Sequence, residues 1–260
     1  MKAVYSVGGL RDTKKDISQM RIAKEAGFDG VDYILTLRDL IKTPSILPLV
    51  KKYQIPVLSL HVPIILVAHT PSLAYRLIFR QTTFFPQCKA VNFHLSGTRN
   101  YLTWSATDSK NIIALGKKYR QLVAFESNPK MYGIHHLFPK VTYDAESFGQ
   151  YCVANNLPIN MDLSHIATCN YDINKFYLKY QKHITMIHMS DYRKKDKEQH
   201  LPFGMGDLPI VDLLKNLKKT NFKGHIVFEV VHFPKNFSLE EKITAVKESL
   251  QLFRTHTTSI

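Results

Sequence analysis

The sequence predicts an α/β protein, a single (β/α)8 TIM barrel spanning residues 1–260 as one domain. Two observations carry that prediction. Short apolar runs alternate with longer amphipathic segments eight times over, and eight such units in about 250 residues is the arithmetic of a barrel. From the third run onward, each run stops at or near a histidine, aspartate or glutamate. Closing eight parallel strands would gather those ends on one face, where barrels of this kind place their chemistry.

The elements follow in order. KAVYS (2–6) reads as a strand. Residues 14–26 carry Ile17, Met20, Ile22, Ala23 and Ala26 at helical spacing, and Gly27 stands where a C-cap glycine belongs. GVDYI (30–34) is the second strand. LRDLIK is a short helix, and a further one follows over 45–54, with Thr43 as its N-cap and Pro44 in its first turn. Strands are then expected at 56–61, 90–94, 121–126, 158–162, 184–189 and 225–230. Helices are expected at 71–85, 108–119, 144–155, 172–182, 209–218 and 238–255, the last capped by Ser238 with Glu240 and Glu241 in its first turn. A doubly wound sheet is the competing architecture. It normally has fewer strands, and no GxGxxG or GxxxxGK loop is present.

Composition narrows the class. At 45% hydrophobic, 260 residues can bury a full core. No run of about 18 apolar residues is present, so no membrane span is expected. The start, MKAVYSVGGLRD, turns polar too soon for a signal peptide. Cys88, Cys152 and Cys169 are odd in number and scattered, which predicts a reducing, cytoplasmic setting and argues against a thiolate zinc site. The net charge of +14 points toward anionic partners, although only Arg193 to Lys197 form a local basic run, and Asp196 interrupts it.

The strand ends make up the constellation. The third run ends in His61, the fourth in His94, the fifth in Glu126 and the sixth in Asp162, with His165 three residues on. The seventh ends near His188, and its loop carries Asp191, Glu198 and His200. The eighth carries Glu229. One such histidine would usually be a hydrogen-bonded rim residue, and one such carboxylate a helix cap. Six consecutive runs with this ending are hard to obtain by chance. Carboxylate plus imidazole without cysteine suits zinc, manganese, cobalt or iron(II). Asp191 reads either as a partner orienting His188 or as a ligand in place of Glu198. His69, His135, His136, His183, His225 and His232 fit the strand-end rule less well and read as surface or structural.

At these residues the sequence resembles the xylose isomerase-like TIM-barrel superfamily, which joins sugar and sugar-phosphate isomerases and epimerases with the endonuclease IV family. The matching pieces are GFDGVDY (27–33), SLHVP (59–63), VNFHLSG (91–97), AFESNP (124–129), NMDLSHIA (160–167), IHMSD (187–191), HLPFGMGDLP (200–209) and VFEVV (227–231). The resemblance implies a divalent metal, zinc or manganese, held by Glu126, Asp162, His188 and Glu229. It also implies that His61, His94, His165, Glu198 and His200 occupy the places of further ligands in a trinuclear zinc centre, with Glu198 replacing the family's usual aspartate.

Two functions follow from the resemblance. The first is isomerisation or epimerisation of a sugar or sugar phosphate. Glu126 and Glu229 would move the proton, His61, His94, His165 and His200 would contact substrate, and Arg193 or Lys194 would hold a phosphate. The alternative is zinc-dependent hydrolysis of DNA at abasic sites, which the histidine-rich set and the basic charge favour. Against it, YSVGG lacks that branch's histidine, TLRDL (36–40) lacks its aromatic and arginine-rich run, and VPII follows His61 where an aromatic is usual. The small-molecule reading is preferred. A pure binding scaffold would predict an incomplete ligand set.

Overall fold

The computed structural model describes residues 1–8, 13–62, 72–95, 106–127, 129 and 144–257. His69, His135 and His136 lie outside them, as does the lysine and arginine content of the segments between.

Eight parallel strands close into a barrel. They are β1 (Ala3–Gly8), β2 (Gly30–Ile34), β3 (Val57–Val62), β4 (Ala90–His94), β5 (Leu122–Glu126), β6 (Ile159–Asp162), β7 (Ile184–Met189) and, after a two-stranded excursion, β10 (His225–Phe228). The order around the barrel is β1-β10-β7-β6-β5-β4-β3-β2. The excursion is a hairpin of β8 (Asp191–Arg193) and β9 (Glu198–Leu201), which the apolar periodicity does not signal because its residues are mostly charged.

The helices are α1 (Thr13–Ala26), α2 (Leu37–Ile41), α3 (Leu47–Tyr53), α4 (Ser72–Gln81), α5 (Ala106–Lys118), α6 (Ala145–Ala154), α7 (Leu163–Thr168), α8 (Ile173–Tyr180), α9 (Ile210–Lys219) and α10 (Leu239–Thr257). Side chains at their starts explain where several begin. Asp144 accepts from the backbone N–H groups of Glu146 and Ser147, and Asp172 from those of Asn174 and Lys175. Ser238 and Glu241 cap each other reciprocally, at 3.3 and 2.7 Å. Gly27 sits at φ +88, the left-handed conformation of a helix C-terminus, and ends α1.

Two expectations need correction. Thr43 and Pro44 do not open a helix. The buried Asp39 carboxylate takes the Ser45 N–H at 3.1 Å and the Tyr33 hydroxyl at 2.8 Å, holding this stretch as a linker. The helix begins instead at Leu47, with Ile46 at its N-cap and Pro48 in its first turn. The short helix α7 was not expected. It arises because Asp162 caps it, accepting the His165 N–H at 2.7 Å.

The main core lies between barrel and helices, with Phe79, Phe93, Phe148, Phe176, Phe228 and Phe253 among its fully buried side chains. A second cluster, Val4, Leu58, Ala90, Ala124, Met186 and Val227, fills the barrel interior. Strand side chains alternate between faces. Residues two positions beyond Ala124, Met186 and Val227 are therefore Glu126, His188 and Glu229, on the same inward face. Among the described residues no helix is long and apolar enough to cross a membrane.

A Cβ added at Gly30 would stand 2.5 Å from Leu58 Cγ and 2.8 Å from the Pro56 carbonyl. Gly30→Ala is expected to cost about 1–3 kcal/mol through overpacking of β2 on β3. Chemical denaturation of the two proteins, with an unchanged midpoint as the contrary result, checks this.

Candidate metal centre

Barrel register brings the strand ends level. His94 pairs with Glu126, Asp162 with His188, and Ile34 with His61. His61 is the penultimate residue of β3 rather than its last. Glu229 follows β10 directly, and its N–H bonds to the Met189 carbonyl at 3.1 Å. Glu126, Asp162 and His188 are wholly buried, and Glu229, His61, His94 and His165 nearly so.

Glu126, Asp162, His188 and Glu229 offer ligand-type atoms that all lie within 4.8 Å of one another. His188 Nδ1 is 2.7 Å from Glu229 Oε2, 3.4 Å from Glu126 Oε2 and 4.0 Å from Asp162 Oδ2. Three further triads overlap this set: His61–His94–Glu126, Asp162–His165–His200 and Asp32–His61–His188. The imidazoles of His61 and His94 touch through their Nε2 atoms at 2.8 Å. His165 Nδ1 stands 3.1 Å from Glu126 Oε1 and 2.8 Å from the Ser127 carbonyl.

The donor set fits a divalent cation. Glu126 Oε1, Asp162 Oδ2, His61 Nδ1, His94 Nδ1 and His188 Nε2 are buried without hydrogen-bond partners. Such orphaned atoms are costly unless something completes them. Their chemistry is that of zinc, manganese, cobalt or iron(II).

Electrostatics point the same way. Burial alone would raise the Glu126 carboxyl, but His188 and His94 hold it well below the usual carboxylate range. Burial acts likewise on Glu229, and His200 and His188 overcome it. Burial lowers His188, yet Glu126 and Glu229 raise it to about 10. Burial also lowers His165, which Asp162 and Glu126 raise to about 9. His61 is pushed down to about 3 by burial, only partly offset by Glu126 and Glu229, and His94 is lowered for the same reason. Protons on His188 and His165 thus balance the carboxylates.

Glu198 is not brought into the cluster. Its carboxylate is on the Arg193 guanidinium at 2.5 Å, and Arg193 also faces Asp196 at 3.4 Å. The ligand role for Glu198 and the phosphate role for Arg193 therefore lose their free groups to each other. His200 does reach the site. Its Nδ1 lies 3.3 Å from both Ser164 Oγ and Ser190 Oγ, and its ring is 5.3 Å from that of His165. His200 sits at φ +58, an uncommon left-handed conformation for a non-glycine residue. Two N–H groups, of Val231 and His232, hold its carbonyl there. His232 lies nearer than the strand-end rule placed it, with its ring 6.4 Å from that of His200. His183 and His225 are half-buried and in none of the metal-competent groups.

Asp191 stands in none of the metal-competent groups found among the described residues. Its carboxylate accepts the backbone N–H groups of Tyr192, Gly204, Gly206 and Leu208 at 2.8–3.1 Å, stapling the loop after β9. The strand-end rule missed Asp32, Asn92 and Asn160. Asp32 is wholly buried and accepts from Ser59 Oγ at 2.5 Å. Its signal was a charged residue inside the apolar run GVDYI. Asn92 and Asn160 precede His94 and Asp162 by two positions, on the same inward face.

The family model described as "Xylose isomerase-like TIM barrel" matches residues 134–256. An uncharacterised protein of Mycobacterium leprae is 24% identical, covering 90% of each chain. A zinc-bound IolI protein superposes with a TM-score of 0.72 at 16% identity, covering all of both chains. D-allulose 3-epimerase from Methylomonas sp., in complex with D-allulose, gives 0.67 at 13%, covering 98% of this chain and 97% of the other. A protein of Brucella melitensis titled AP endonuclease, family 2, gives 0.66 at 13%, covering 99% of each. The fold is that of a (β/α)8 barrel, and over residues 134–256 the sequence is similar to xylose isomerase-like TIM barrels, the resemblance its motifs indicated.

Two predictions follow from this site. Asp191→Asn leaves an amide NH2 facing backbone donors, and is expected to cost about 1–3 kcal/mol; thermal unfolding reads it, and an unchanged midpoint contradicts the staple. Cation binding must displace the protons on His165 and His188, so apparent Zn²⁺ affinity should tighten as pH rises toward about 9, by up to about tenfold per pH unit for each proton released. Calorimetry in buffers of different ionisation enthalpy checks the proton release, and a pH-independent affinity would count against it.

Proposed function

We propose that this chain is a metal-dependent isomerase or epimerase of a sugar or sugar derivative. One observation carries the reading: Glu126, Asp162 and His188 end or nearly end three strands and Glu229 directly follows a fourth, yet their ligand-type atoms lie within 4.8 Å, buried inside the barrel mouth. The four would hold the cation. A divalent ion bound there would supply Lewis-acid polarisation of the substrate's carbonyl and hydroxyl oxygens.

The chain's own residues do the rest. Glu126 and Glu229 are both kept as carboxylates by the histidines around them. One takes the proton from the carbon next to the carbonyl, leaving an enediolate. For isomerisation the same carboxyl, now protonated, returns that proton to the neighbouring carbon; for epimerisation the other carboxyl, having taken a proton from solvent, delivers it to the opposite face while the first keeps the one it removed. His61, His94, His165 and His200 line the same mouth and would contact the substrate's hydroxyl groups. The small-molecule substrates named for the structural neighbours support this choice.

A second reading rests on the overlapping triads. His61–His94–Glu126 and Asp162–His165–His200 supply places for additional ions beside the central set, as a zinc phosphodiesterase acting on abasic DNA would need. The pairing of Glu198 with Arg193 removes one of that centre's ligands and weighs against it.

Metal analysis of protein purified without added metal is expected to give about one transition-metal ion per chain. A value near three would favour the phosphodiesterase, and less than about a tenth, with no rebinding, would sink both readings. Glu229→Gln is expected to lower turnover at least about 10²-fold while the fold persists. The assay pairs a panel of ketoses and their phosphates with an abasic-site duplex, and retained turnover in the variant would remove Glu229 from proton transfer.

A further inference from the structure

Beside the candidate ligands, two asparagine side chains converge on a single carboxylate oxygen. Asn160 Nδ2 donates to Glu126 Oε2 at 2.9 Å, and Asn92 Nδ2 donates to the same oxygen. Both asparagines are wholly buried. They come from β4 and β6, the strands flanking β5, on which Glu126 stands. Asn160 pairs in register with Glu126, and Asn92 with Ala124, two residues before it. The carboxylate is therefore gripped from both sides. Its other oxygen, Oε1, is buried, held by neither asparagine, and faces His165 Nδ1 at 3.1 Å, a ring nitrogen whose hydrogen bond goes to the Ser127 carbonyl at 2.8 Å.

The amide orientations are dictated by this contact. Turning either asparagine would set its carbonyl oxygen against the carboxylate. Each asparagine's own Oδ1 consequently has no partner. The barrel tolerates two orphaned amide oxygens to place two N–H donors on Glu126. For a purely structural role, an apolar pair would fill the same space without that cost.

We propose that Asn92 and Asn160 form an amide clamp that fixes the plane of the Glu126 carboxylate and leaves Oε1 open for a cation. They are positioning residues that act through Glu126. The inference rests on the reading of Glu126 as a cation ligand. Groups that orient a metal ligand from outside typically change metal affinity by about 10–100-fold when removed.

The test measures Co²⁺ and Zn²⁺ affinity of the full chain by competition with a chromophoric chelator, with circular dichroism and thermal melting as fold controls. Asn160→Ala and Asn92→Ala are each expected to weaken binding about tenfold, and the pair about a hundredfold. Asn160→Ser and Asn92→Ser replace them should an alanine variant fail to fold. The deciding measurement is a double-mutant cycle with Glu126→Gln. If the asparagines act through the carboxylate, removing them in the Glu126→Gln background changes affinity by less than about twofold. An equal loss in both backgrounds makes their role general packing and overturns the clamp. A parent chain that binds metal while the asparagine variants bind it equally well overturns the clamp alone. A parent chain that binds none overturns the metal reading and the clamp together.

Discussion

Three carboxylates converge on one imidazole at the mouth of this barrel, and much of the structure serves that convergence. Glu126, Asp162 and Glu229 all lie within 4.0 Å of His188 Nδ1, and all are buried. Burying like charges at such range is unfavourable unless positive charge or hydrogen bonds offset it. The surroundings provide both. His188 and His165 bind protons more tightly than free imidazoles do, while Asn92, Asn160, Ser164 and the His165 N–H occupy carboxylate oxygens. Each of those groups is delivered by a strand or by the first turn after one. Closure of the sheet is what makes the cluster possible, since Glu126 and Glu229 are 103 positions apart in sequence.

The interior is arranged in tiers along the barrel axis. Small and apolar side chains, among them Val4, Leu58 and Ala90, lie toward the bottom. Asp32, Ser59, Asn92 and Asn160 form a polar middle, and the candidate ligands form the top. The two-residue period of a strand sets this succession, with a register shift between Val31 and Asp32 opposite β3 adjusting it locally. In β4 the series reads Ala90, Asn92, His94. Polarity rises toward the mouth, where the chemistry is proposed.

This periodicity explains what the sequence disclosed and what it hid. The barrel was legible because βα alternation is a long-range pattern that no single residue can spoil, and the seventh strand was found to the residue. The ligand candidates were legible because a charged or imidazole side chain ending an apolar run is conspicuous. Asn92 and Asn160 sit inside such runs, and a buried asparagine there looks like an imperfection in the strand until its partner is known. Asp32 was hidden in the same way. The loop after β7 misled for a different reason. Glu198 has the right chemistry and a plausible spacing, but spacing cannot reveal that Arg193 lies across a hairpin from it. Asp191 was ambiguous because only the folded loop shows four backbone N–H groups aimed at its carboxylate.

The histidines carry one more layer of order. The rings of His188, His61, His94, His165 and His200 form a continuous series, each 4.9–6.1 Å from the next. Burial leaves His61 and His94 neutral, so of their two touching Nε2 atoms one must donate and the other accept. The accepting ring then carries its proton on Nδ1 and needs an acceptor there. His61 Nδ1 has a carboxylate oxygen in view, Asp32 Oδ2 at 3.9 Å, itself without a hydrogen-bond partner. The 3.9 Å separation is an electrostatic contact rather than a hydrogen bond, and it sets a buried carboxylate beside the His61 ring. A cation bound by His61 would have that carboxylate behind its imidazole, the kind of partner that raises ligand basicity where the two bond. The buried aspartate of the second strand thereby joins the site from the tier beneath it.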